Sequence, residues 1–71
     1  MKWPQLRRIL ESEPLSYRII RQTGSHRTME AVGRPILHLS FHDHQEIPGG
    51  LVRKILVRDV GLSDAEARAL L

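Results

Sequence analysis

Four histidines, at positions 26, 38, 42 and 44, stand in a chain that has no cysteine. Imidazole titrates at about pH 6.5, so it can take a proton and return one under cellular conditions. Two such groups on one surface could supply the proton transfers of RNA cleavage. A base removes the 2′-hydroxyl proton as that oxygen attacks phosphorus, and an acid protonates the departing 5′-oxygen. Arginine side chains would hold the phosphate by forked hydrogen bonds and stabilise the charge that develops. Nine of the eleven basic side chains are arginine. A metal reading is weaker. The run His38-x3-His42-x-His44 has enough nitrogens for zinc, with Asp43 or Glu46 able to add an oxygen, but strand alternation puts only His38 and His42 on one face. No metal and no cofactor are therefore expected. Pro48-Gly49-Gly50 lacks the Lys and Ser/Thr of a phosphate-binding P-loop and reads as a tight turn into a helix.

The elements that must position these groups follow from periodicity. Leu6, Ile9 and Leu10 mark a helix from Trp3 to about Glu13, with Pro4 in its first turn and Pro14 ending it. Ser16–Gln22 has strand composition, Thr23-Gly24-Ser25 is a turn, and His26–Ala31 is a second strand. Pro35–Phe41 alternates most clearly: Leu37, Leu39 and Phe41 share one face, and Ile36, His38, Ser40 and His42 the other. A helix from about Leu51 carries the apolar stripe Leu51, Val52, Ile55 and Leu56, with Arg53, Lys54 and Arg58 outside it, and Gly61 stops it. Ser63-Asp64-Ala65-Glu66 reads as a capping box that opens a short last helix, with Leu70 and Leu71 available to pack back. The expected fold is α+β, with a three-stranded antiparallel sheet and helices over one face.

Cross-strand register gives the histidines a common address. If Met29 pairs inward with Leu37, His26 lies opposite Ser40, with His38 and His42 on the two diagonals. Thr28 then faces His38, and Glu30 faces Ile36. Three histidines would share the uncovered face.

The chain has 71 residues, the size of one domain over 1–71. Its 21 Leu, Ile, Val and Phe residues are too many for intrinsic disorder. The formal charge of +3 is uneven: residues 1–35 carry seven basic and three acidic groups, residues 36–71 four and five. A positive field in one half suits a polyanion such as nucleic acid. Without cysteine there is no disulfide framework. No apolar run approaches the roughly 20 residues that span a bilayer, and the opening MKWPQLRRILESE lacks a secretory h-region, so a cytoplasmic protein with no membrane association is expected.

The ordered pieces MKWPQLRRIL, RIIRQTGSHR, FHDHQEIPGG and LVRKILVRDVGLS resemble the HicA toxin family. The resemblance covers nearly the whole chain. Its most specific parts are Gln22–Arg27 and, some twenty residues on, Ile47–Leu56. It implies a double-stranded-RNA-binding-domain-like fold, α-β-β-β-α, here with a short extra C-terminal helix. It also implies an mRNA interferase, a toxin ribonuclease held inactive by a HicB-type antitoxin. The family's catalytic histidine sits in a Gly-Ser-His motif and maps onto His26. Only His26 comes from the resemblance; from the residues themselves, Gly24 and Ser25 are expected to shape the turn at the RNA, Arg27, Arg53 and Lys54 to bind phosphate, and His38 or His42 to be the second acid/base. Members commonly have Gly where Ser16 precedes Tyr17, often Pro where this chain has Ser40, and often Thr where it has Gly50. The rival readings are a non-catalytic RNA-binding module of the same fold, and a partner-binding protein that docks another chain on its open sheet face or edge strand.

Overall fold

Apolar residues on one helical face and a proline in the first turn build α1 over Trp3–Glu11 in the computed structural model, which describes residues 1–71. The amide of Lys2 donates to Oε1 of Gln5 at 2.8 Å, satisfying a donor that the helix start would leave unpaired. Trp3, Leu6 and Leu10 face the core. The helix ends at Glu11, two residues before the expected end. The hydroxyl of Ser12 donates to the Arg8 carbonyl at 2.5 Å and so competes for the last rung of the ladder.

Three antiparallel strands follow, β1 (Arg18–Thr23), β2 (His26–Glu30) and β3 (Leu37–Ser40), in spatial order β1-β2-β3. β1 starts at Arg18 rather than at Ser16, because the preceding chain is held elsewhere. Ser16 has a left-handed backbone, φ 56°, the amide of Tyr17 donates to the Leu10 carbonyl at 2.8 Å, and the Tyr17 hydroxyl donates to the Pro35 carbonyl at 2.7 Å. Gly24, at φ +58°, makes the turn between β1 and β2.

The β2–β3 register is the one that alternation predicts: His26 opposite Ser40, Arg27 opposite Leu39, Thr28 opposite His38 and Met29 opposite Leu37. β3 is shorter than expected at both ends. Pro35 has no amide to extend the ladder, and the amide of Phe41 donates to the Ser25 carbonyl in the turn, at 2.8 Å. Ile36 is therefore outside the strand and does not pair with Glu30, and His42 leads the next turn.

β1 holds an irregularity that alternation does not predict. Ile19 pairs with Met29, yet Arg21 pairs with Thr28, so Ile20 is an extra residue in the ladder. The bulge leaves Ile20 47% exposed. It also puts Arg18 and Arg21, three apart in sequence, on the same face of the sheet.

Beyond β3, α2 (Gly49–Arg53) runs directly into a π-helical segment, Lys54–Asp59, in which the amide of Val60 reaches the Ile55 carbonyl at 2.9 Å. Gly61 ends it at φ +91°. α3 (Asp64–Leu70) opens with the expected capping box: Glu66 N–H donates to Ser63 Oγ at 3.1 Å, and Ser63 N–H to Glu66 Oε1 at 2.9 Å. Ala67 is the buried residue of α3, with Leu70 only partly covered and Leu71 exposed.

The architecture is the α+β layout α-β-β-β-α with a short last helix, and all 16 buried residues are apolar or aromatic. Met29, Leu37 and Leu39 of the sheet meet Trp3, Leu6, Leu10, Ile55 and Leu56 of the helices in one cluster. The opposite sheet face is left to polar side chains. No helix is long and apolar enough to cross a membrane.

Candidate active site

The polar face is organised as rows running across the three strands. One row is Thr23, His26 and Ser40; the next is Arg21, Thr28 and His38; a third joins Arg18 to Glu30. Each row exists because antiparallel pairing sets these residues side by side with their side chains on one surface.

Within the first row, Nδ1 of His26 lies 3.1 Å from Oγ of Ser40. His26 is exposed, and Ser40 is half-buried. A hydroxyl both donates and accepts, so this contact suits either protonation state of the ring and leaves Nε2 without a partner in the protein. In the second row Thr28 Oγ1 and His38 Nδ1 are 3.4 Å apart, a weaker contact of the same kind. His26 and His38 are diagonal neighbours, about 7–8 Å apart at the backbone. Two imidazoles therefore share one open surface at a spacing that a phosphodiester can bridge.

The turn before His26 is held from behind. Arg27, next in sequence, points through the sheet to the helix side. There its Nη1 donates to the Gly24 carbonyl at 2.6 Å, and its guanidinium carbon lies 5.6 Å from the centre of the Phe41 ring. Phe41 stacks in turn on Trp3, with ring centres 5.3 Å apart. Arg27 therefore braces the loop of Gly24 and Ser25 and does not reach the histidine face.

The remaining expected site residues separate. Lys54 lines a groove of about 340 Å³ between the β3 edge and the helical layer, together with His38, Ser40 and His42. His42 thus stays near His38, at the groove rather than on the sheet. Arg53 lies on the helical layer and pairs with Asp64 at 2.8 Å. No three His, Asp or Glu side chains converge closely enough to hold a metal ion.

Arg21 is the residue of this face that alternation misses. It is exposed, makes no ion pair, and sits opposite Thr28 on the histidine face. Arg18, on the same face, is neutralised by Glu30 at 2.5 Å. The available signal was the run Arg-Ile-Ile-Arg, which offers two consecutive apolar residues where a half-buried strand needs one.

No curated protein and no solved structure matches the chain. A family model does, described as the HicA toxin of bacterial toxin–antitoxin systems, over residues 3–62. That span takes in α1, the whole sheet, both histidine rows and the helix that follows, so the chain belongs to the HicA toxin family.

Proposed function

We propose that this toxin is a metal-independent endoribonuclease that cleaves mRNA in the cytoplasm and is held inactive by a HicB-type antitoxin. The observation that carries this reading is the exposed His26 ring on an uncovered sheet face, one nitrogen held by Ser40 and the other without a partner in the protein. With Nδ1–H donating to Ser40 Oγ, Nε2 holds a lone pair and acts as the base. It accepts the 2′-hydroxyl proton, the 2′-oxygen bonds to phosphorus, and the bond from phosphorus to the 5′-oxygen breaks. The 5′-oxygen takes a proton from the second imidazole, His38, which lies on the diagonal. The products are a 2′,3′-cyclic phosphate and a 5′-hydroxyl, with one proton taken up and one given back. Every transfer uses a side chain of this protein.

The test is incubation of the purified protein with an unstructured RNA in EDTA, beside its His26→Ala variant. Cleavage by the parent alone, with RNA binding retained by the variant, is the expected result. Equal cleavage by both would remove His26 from the mechanism. Salt-sensitive binding with no cleavage by either would make the protein an RNA-binding module.

A further inference from the structure

We infer that the scissile phosphate sits over Thr28 and is clamped there by Arg21, a residue brought to the histidine face only by the bulge at Ile20. The inference rests on the ribonuclease reading and adds the seat of the reacting group. Thr28 has Arg21 directly across on β1, His38 directly across on β3, and His26 two residues back along its own strand. A phosphate above this threonine meets the base, the acid and a guanidinium from three sides. Thr28 itself is short and half-buried, so it leaves room for the group.

The charge balance singles out Arg21. Of the two arginines on this face, Arg18 is committed to Glu30, and Arg21 has no acidic partner. Arg27 is turned to the other side, and Arg53 is paired with Asp64. Arg21 is thus the one uncommitted guanidinium on the histidine surface. A planar fork of donors suits two non-bridging phosphate oxygens, whose charge grows as the 2′-oxygen attacks. Without the extra residue in β1, alternation would turn either Arg18 or Arg21 to the core side. The bulge leaves Ile20 unpaired in the ladder, with an exposed apolar side chain.

Two assays on the intact protein test the inference, with Arg8→Ala on the outer face of α1 as the control that removes the same charge. On a cleavable RNA at saturation, Arg21→Ala is expected to slow cleavage about 10²–10³-fold, the usual loss for one donor to a developing oxyanion, and Arg21→Lys to recover part of it. On a 2′-O-methyl RNA of the same sequence, which lacks the attacking hydroxyl, Arg21→Ala should flatten the salt dependence of binding by about 0.7 in logarithmic slope. Cleavage by Arg21→Ala within about threefold of Arg8→Ala at saturation would overturn the clamp. If the parent cleaves no RNA, the ribonuclease reading fails separately. A slope change confined to Arg21→Ala then still supports a phosphate seat at Arg21, and an unchanged slope overturns it.

Discussion

Nδ1 of His26 and Oγ of Ser40 face each other across the β2–β3 ladder at 3.1 Å, in a residue pair that strand register alone makes adjacent. The contact fixes the ring's orientation, and Ser40 Oγ accepts the hydrogen bond from Nδ1–H before and after Nε2 takes its proton. A hydrogen bond to a charged group contributes about 1.5–3 kcal/mol, so Ser40→Ala should slow cleavage roughly 10–100-fold at saturating RNA. Affinity should stay the same, since Ser40 meets the ring and not the RNA. Ser40→Thr keeps the hydroxyl and should recover most of the rate. A Ser40→Ala enzyme as fast as the parent would show that His26 needs no such partner.

Arg27 looks like a phosphate ligand in sequence because it follows His26 directly. Its side chain instead joins the Gly24 carbonyl to the Phe41 ring, with its Nε buried and lacking a hydrogen-bond partner. Arg27→Met keeps the apolar stem and removes the bond to Gly24 and the cation–π contact. It should destabilise the protein by about 1 kcal/mol, the loss being partly offset by removal of the unpartnered Nε–H. The salt dependence of RNA binding should match the parent's. A flattened slope in Arg27→Met, measured on the same oligonucleotide as Arg21→Ala, would place Arg27 on the RNA instead.

How much was legible depended on whether a local pattern carried the information. Leu37, Leu39 and Phe41 alternate with His38 and Ser40, and this alternation was enough to give the β2–β3 register and the pairing of His26 with Ser40. The capping box at Ser63 and Glu66 and the stop at Gly61 were legible for the same reason: each needs one residue type at one offset. The bulge was not, because Ile19 and Ile20 are chemically alike and only the partner strand decides which is extra. The strand ends were blurred by tertiary bonds, such as Tyr17 to Pro35 and Phe41 to Ser25, that no short window contains. The π-helical turn over Lys54–Asp59 escaped because six residues are too few to tell its period from that of an α-helix. Arg21 therefore stayed hidden until the backbone was seen.

Ser16 holds φ at 56°, in a region that costs a residue with a Cβ about 1–2 kcal/mol. Its side chain is exposed and makes no hydrogen bond, and its amide donates to the Ser12 carbonyl at 2.9 Å, a bond that glycine would keep. Ser16→Gly should relieve the strain, less about 0.4–1 kcal/mol for the freer unfolded chain. The net gain of up to about 1.5 kcal/mol corresponds to a rise in Tm of up to about 12 °C in a protein of this size. A lower Tm in thermal melts of the variant would mean that the serine is held by something other than steric tolerance.

Tyr17 ties the strand entry to the β2–β3 turn, its hydroxyl donating to the Pro35 carbonyl at 2.7 Å. Burial pushes its pKa above the ordinary value of 10.0, against the opposing pull of Arg34. The native state thus favours the neutral phenol more than the unfolded chain does. The stabilisation is complete below the unfolded pKa and is lost as pH rises through the folded value. Tyr17→Phe removes both the bond and the titration. At pH 7 the variant should be about 1 kcal/mol less stable than the parent, because the Pro35 carbonyl loses its donor. As pH rises past about 10 the parent's stability should fall toward the variant's, since only the parent has a phenol to ionise at this position. Every other titratable group is common to both proteins and cancels in the difference. Denaturant melts of the pair at several pH values would read this convergence. A gap that stays constant up to pH 11 would show that ionisation of Tyr17 is not linked to folding.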